Sequence, residues 1–199
     1  MHRAVLTWLV VSLLSSLPPA LAKEPTIKKP VDPKVMMDTY QKLATPGAPH
    51  KHLASLAGTW TTQTKEWMEP GKPPTESTGT CEYKALLGGR YMQQDCTGTM
   101  RGHAFTGIGV QGYDNFTKKY MTTWIDSLGT GIFSMESKAG ADGKTITLHG
   151  NLADPFDGTL KQRAVWKFPD ANTQILEMYG PHGNGNEILM MEITYTRKQ

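Results

Sequence analysis

Tyr120, Trp124 and Asp126 fall at even spacing within Lys119 to Ser127 (K-Y-M-T-T-W-I-D-S), so a strand there sets all three on one face. Two aromatic rings beside a carboxylate make a wall for a small molecule: the rings supply apolar surface and Asp126 accepts a hydrogen bond. These three are the candidate ligand-binding residues. Asp126 has a second reading, as the cap of a turn at Leu128-Gly129. Glu192, set among Met190, Met191 and Ile193, reads as an outward-facing residue of the last strand.

Metal and nucleophile chemistry find less support. His50 and His52 flank Lys51, but H-x-H without a third ligand is no metal site; His103, His149 and His182 stand alone, and His2 lies in the leader. No metal ligand is assigned. If haem were held, a single axial histidine would suffice, and His149 and His182 are the candidates. Gly107 to Gly112 spells G-x-G-x-x-G, yet it runs into the turn Gly112-Tyr113-Asp114, where a dinucleotide fingerprint needs a helix. Its glycines instead let a strand bend and neighbours pack closely. G-x-S-x-G, H-E-x-x-H and paired-cysteine zinc spacings are absent, so no catalytic residue is assigned. Asn115-Phe116-Thr117 spells a glycosylation sequon.

The elements that must position these residues follow from the punctuation of the chain. Residues 1–22 read as a cleavable signal peptide: Arg3 supplies a basic start, Ala4 to Leu14 is apolar, and Ala20-Leu21-Ala22 supplies the cleavage pattern. Its apolar run is too short to span a bilayer, and no later stretch forms a transmembrane helix. Residues 23–49 form a Pro-rich linker and one short amphipathic helix. Asp32 caps that helix, Pro33 to Ala44 form it, and Thr45-Pro46-Gly47 stops it. Met36, Tyr40, Leu43 and Ala44 share a face, which is expected to pack on an end or side of the domain that follows.

Residues 50–199 form that domain. From Gly58 turn signals recur at short, regular intervals. They are Glu69-Pro70-Gly71, Gly88-Gly89, Arg101-Gly102, Asp114-Asn115, Gly129-Thr130-Gly131, Ala141-Asp142-Gly143, Asp154 to Gly158, Pro169 to Asn172 and Pro181 to Asn186. Nine turns separate ten strands, and a meander of ten strands removes its exposed edges by closing. The expected fold is therefore all-β: a ten-stranded antiparallel up-and-down barrel. A two-residue turn at Gly88-Gly89 sets Cys81 directly opposite Cys96, and an oxidising compartment makes them a disulfide. Cys81 then shares the inner face with Tyr83, Ala85, Leu87, Met92 and Met100. Glu82 faces Asp95 on the outside, an unfavourable like-charge pair. The cysteines are expected at a hydrogen-bonded position, with Cα atoms about 5.5 Å apart.

Six runs follow one another along this domain. They are L-A-G-T-W (Leu56 to Trp60), E-P-G-K-P-P (Glu69 to Pro74), L-G-G-R (Leu87 to Arg90), G-Y-D-N (Gly112 to Asn115), K-Y-M-T-T-W-I-D-S and T-Y-T-R-K (Thr194 to Lys198). Together they resemble the family called domain of unknown function 1579 over about His50 to Lys198. The resemblance implies a calycin-type, lipocalin-like barrel and no activity. Gly58-Thr59-Trp60 also resembles the glycine-x-tryptophan start of lipocalins, in which the tryptophan plugs one end beneath a basic residue of the last strand. Trp60 and Arg197 are the structural residues expected in those roles. Haem-binding barrels of related shape, the nitrobindin-like proteins, give the histidine reading its context.

Charge excludes one class of partner. The chain carries +3 net, and its basic residues gather no further than scattered pairs such as Lys28-Lys29 in the linker, so nucleic acid is not expected. Eleven methionines and many aromatics suit a cavity that adapts to a small apolar molecule. The expected function is that of a periplasmic or secreted barrel binding such a ligand. The alternatives are an enzyme built from inward polar groups, a haem carrier, and an envelope protein with a filled core.

Overall fold

The computed structural model describes residues 30–138, 144–183 and 185–199. The signal peptide expected at residues 1–22 and the turn expected at Ala141-Asp142-Gly143 lie outside these. Ten strands alternate in direction: β1 (Gly58–Glu66), β2 (Thr75–Leu86), β3 (Tyr91–Met100), β4 (His103–Asp114), β5 (Lys119–Asp126), β6 (Phe133–Ser137), β7 (Thr145–Asp154), β8 (Gly158–Asp170), β9 (Thr173–His182) and β10 (Asn186–Arg197). Each pairs with its neighbour in sequence, and β10 pairs antiparallel with β1, giving the closed up-and-down barrel that the turn pattern implies.

The core is concentrated at one end. Trp60 is fully buried there, with Leu53, Leu56, Tyr83, Met92, Ile146, Trp166 and Tyr195. Its indole N–H donates to the Leu56 carbonyl at 2.9 Å, so the ring needs no water. Arg197, its cross-strand partner, lies over the ring with its guanidinium carbon 4.2 Å from the centroid. The same guanidinium donates to the carbonyls of Ala57 (2.7 Å), Ser55 (2.8 Å) and Ala171 (3.2 Å). One side chain thus ties β10 to the segment entering β1 and to the β8–β9 turn. Gly58 makes room for it: φ is +125° there, and a Cβ would stand 3.1 Å from Arg197 Nη1.

Two helices precede the barrel. Helix α1 (Pro33–Ala44) begins at Asp32, whose side chain accepts from the Lys34 N–H. It does not pack as expected: none of its residues is buried, and Met36 and Tyr40 are exposed. The chain breaks at Thr45-Pro46-Gly47 and turns again into α2 (Ala48–Ala54), which buries His50 and Leu53 and rests on β3 and β4. The cap of the barrel is therefore α2, because it carries apolar surface aimed at the core and is joined directly to β1. The end of α1 is held by Asn115, whose amide donates to the Leu43 (2.8 Å) and Thr45 (2.9 Å) carbonyls. That nitrogen is the one a sequon would offer for glycosylation.

Cys81 and Cys96 are directly paired and form a disulfide, but their Cα atoms are 4.1 Å apart. This is the close spacing of a non-hydrogen-bonded pair, and it corrects the wider spacing expected. The connection is four residues long, Leu87 to Arg90, and the N–H groups of Gly89 and Arg90 both reach the Leu86 carbonyl. The pairing stays the same while the hydrogen-bonded positions move by one residue. Leu87 and Ala85, expected on the inner face, are exposed, since β2 leaves the barrel end there. Glu82 does face Asp95, but Lys84 bridges them, 3.0 Å from Glu82 and 4.0 Å from Asp95.

Two predictions follow from this end of the barrel. Arg197→Ala should lower unfolding free energy by about 2–3 kcal/mol in urea titrations, above a cation–π contact alone, because three carbonyls also lose a charged donor. Arg197→Lys should recover little of it, since an ammonium cannot stack and span three acceptors at once. The second concerns His52 on α2, which sets its ring edge on Phe168 with centroids 4.6 Å apart and has a buried Nε2 with no protein partner. Burial lowers its pKa below the ordinary 6.5. Well above pH 6.5 the ring is neutral folded or unfolded and adds no pH dependence. As pH falls below that value the unfolded chain binds the proton first, so stability should decline until the lower folded pKa is passed. Urea midpoints between about pH 7.5 and 5 should show this decline, and His52→Phe should flatten it.

Candidate functional site

Above the Trp60 floor the barrel encloses a cavity of about 330 Å³, lined by side chains from all ten strands. It reaches toward the end of the barrel opposite Trp60, where the β1–β2, β3–β4, β5–β6, β7–β8 and β9–β10 turns gather. Its two halves differ in character. From β5 to β9 the lining is chiefly apolar, with Trp124, Phe133, Met135, Leu148, Trp166 and Met178, interrupted by Thr122, Asp126 and Gln162. From β10 through β1 to β4 the hydrogen-bonding groups collect: Tyr195, Thr62, Tyr83, Gln94 and Gln111, with the Cys81–Cys96 disulfide among them.

The polar half is a connected chain. Gln111 Nε2 donates to Gln94 Oε1 at 3.0 Å, and Gln94 Nε2 approaches Cys96 Sγ at 3.2 Å and Tyr195 Oη at 3.5 Å. Tyr195 also bonds Tyr83. Burial pushes the Tyr195 phenol up to about 12, and burial, reinforced by Tyr195, raises Tyr83 well above the usual 10.0. Both rings stay neutral. The lining includes one carboxylate, Asp126, and no Lys, Arg, His or Glu among the described residues.

The three sequence-derived ligand residues part company. Trp124 and Asp126 line the cavity, and the indole N–H donates to Asp126 Oδ2 at 2.8 Å. The other oxygen of Asp126 accepts the Leu128 N–H at 2.9 Å, so Asp126 also caps the turn. Tyr120 is buried but outside the cavity lining, packed edge-on against Tyr113 (4.9 Å), which meets His50 beneath α2. It lies one two-residue step nearer the closed end than Thr122, which lines the cavity. His149 is exposed on β7 and His182 at the end of β9, and among the described residues the cavity lining includes no histidine. Glu192 points outward and pairs with Lys65 at 3.4 Å.

The residues that sequence reasoning missed are Gln94, Gln111 and Tyr195. Two of them had a signal in alternation: Gln94 lies between Met92 and Cys96 on the inward set, and Tyr195 is two residues before Arg197. The glycines beside Gln111 have a clear purpose. A Cβ on Gly107 would stand 2.2 Å from Trp124 Cζ2, and one on Gly109 would stand 3.0 Å from its Cε3. The paired glycines of β4 let the indole lie flat across the neighbouring strand.

A prediction tests that fit. Gly107→Ala should cost about 1–3 kcal/mol by overpacking and shift tryptophan fluorescence. Trp124→Leu in the same chain should relieve most of that cost, so a double-mutant cycle should show strong coupling.

Comparison with known proteins places this geometry. No curated protein matches the chain. Among solved structures, Rv2717c from M. tuberculosis is similar in fold, with TM-score 0.55 and 10% identity over 78% of this chain and all of that one. A de novo designed fluorescence-activating β-barrel matches at TM-score 0.40 and 12% identity, covering 71% of this chain and 93% of the design. The model of a family described as "Protein of unknown function (DUF1579)" matches residues 45–197, which takes in α2, the arginine lock and every strand, and the chain belongs to that family.

Proposed function

We propose that this barrel binds a small, largely apolar molecule in its central cavity. The observation that carries the reading is the cavity itself. A volume of about 330 Å³ lined by aromatic and aliphatic side chains stands at the lower end of the roughly 300–1,000 Å³ range of small-molecule sites. A barrel serving only as a structural element gains stability by filling that space, since empty apolar volume costs free energy. The lining also favours binding over catalysis: Asp126 is its single carboxylate, both tyrosines are held neutral, and no general base is paired with a nucleophile. The disulfide fits an exported protein, and no helix among the described residues is long and apolar enough to cross a membrane. We place the protein in the periplasm or outside the cell.

The test is titration with an environment-sensitive hydrophobic dye. Binding should saturate at one dye per chain, and dye at 100 times its Kd should add about 2.7 kcal/mol of stability by mass action. Ala164, buried in the wall of β8, faces the cavity. Ala164→Phe should place a ring in that space and weaken the dye at least about tenfold, a difference of about 1.4 kcal/mol. A dye signal that never saturates, or that survives this substitution unchanged, rejects a cavity ligand.

A further inference from the structure

The chain of amides on the polar wall ends on an unused acceptor. Gln111 is 6% exposed and lines the cavity. Its Nε2 is spent on Gln94, and its carbonyl Oε1 is buried without a protein hydrogen-bond partner. Gln94 cannot turn to relieve it, being held by the disulfide sulfurs and by Tyr195. A buried carbonyl left in this way is a standing cost to the folded state, removed when a donor reaches it. Across the barrel from β4 stands β9, which offers Leu176 and Met178. A molecule between them meets an acceptor on one side and hydrocarbon on the other.

We propose that Gln111 is the recognition point of the cavity and that its ligand is a neutral, apolar molecule carrying a hydroxyl group, which donates to Gln111 Oε1. This rests on the cavity-binding reading above and adds the chemical class. The rest of the lining argues against the neighbouring classes. A carboxylate or phosphate would be buried with no cation to pair it, since among the described residues the lining holds no Lys, Arg or His and one carboxylate, Asp126. A plain hydrocarbon fills the space but leaves Oε1 unpaired. A hydroxyl satisfies the amide without bringing charge.

Three probes of one size separate these outcomes: 2-naphthol, 2-methylnaphthalene and 2-naphthoate, titrated at pH 7 by calorimetry against the disulfide-intact protein. The naphthol should bind about tenfold more tightly than the methyl compound, the worth of one hydrogen bond to an otherwise unpaired group. The naphthoate should be the weakest. Gln111→Leu should bring naphthol down to the affinity of 2-methylnaphthalene, because the acceptor that separates the two probes is gone. Equal binding of all three by the wild-type protein, or preference for the naphthoate, overturns this proposal and leaves the cavity-binding reading standing. Failure of all three to bind overturns both. The wild-type ranking decides the matter whether or not Gln111→Leu folds.

Discussion

A meander becomes a barrel only where its last strand finds its first, and here that seam is closed around one indole. The pairing of Trp60 with Arg197 sits at the seam, and the guanidinium reaches past it to the loop before β1 and the turn between β8 and β9. Hydrogen bonds along β1 and β10 fix the direction of the strands, but they do not fix register by themselves, since sliding by two residues preserves both faces. A large ring that fits one place, under a cation that fits one place, removes that freedom. The even number of strands matters for the same reason: it makes β10 antiparallel to β1, so that the end of one meets the start of the other.

Filling one end in this way has a consequence for the other. Trp60, Leu53, Leu56 and Ile146 consume the space near α2, and the side chains further along the strands do not meet across the barrel. The wall there is kept firm by local devices. The disulfide staples β2 to β3, and Trp124 lies across the paired glycines of β4 with its N–H tied to Asp126. These fix the shape of the cavity from within single hairpins, without side chains spanning it. Firm walls around unfilled space are what distinguish a preformed site from a loosely packed core.

Much of this was legible in the residues. The turn residues named the strands, because glycine and Asn/Asp serve backbone conformations that other residues resist, and side-chain alternation then assigned faces. The reading faltered wherever the outcome depended on three-dimensional fit. Met36 and Tyr40 make α1 amphipathic on paper, but α2 takes the available core surface through Leu53 and His50. The four-residue connection at Leu87 to Arg90 preserves the cysteine pairing while changing its hydrogen-bond phase, which no count of residues reveals. Tyr120 shares a face with Trp124, yet height along the barrel, not face, decides which of them meets the cavity. Gln94 and Gln111 escaped notice because polar residues on an inward face read as exceptions until their partners are known.

Those exceptions give the interior its chemistry. The charged residues that the chain carries are sorted to the outer wall, where Arg163 pairs with Glu187, Lys167 with Glu177 and Lys119 with Glu136 in reach of water. Such exposed pairs add little stability, but their position leaves the cavity wall with one carboxylate, Asp126, and no cation among the described residues. A neutral amide buried in that setting holds its direction, since turning it means breaking bonds that water cannot replace. On the proposed reading, the Gln111–Gln94–Tyr195 chain sets an acceptor beside an apolar wall, with no cation among the described lining residues to reward an anion. Selectivity of this kind needs no catalytic group. It arises because a site that leaves one polar atom unmatched discriminates by what can match it.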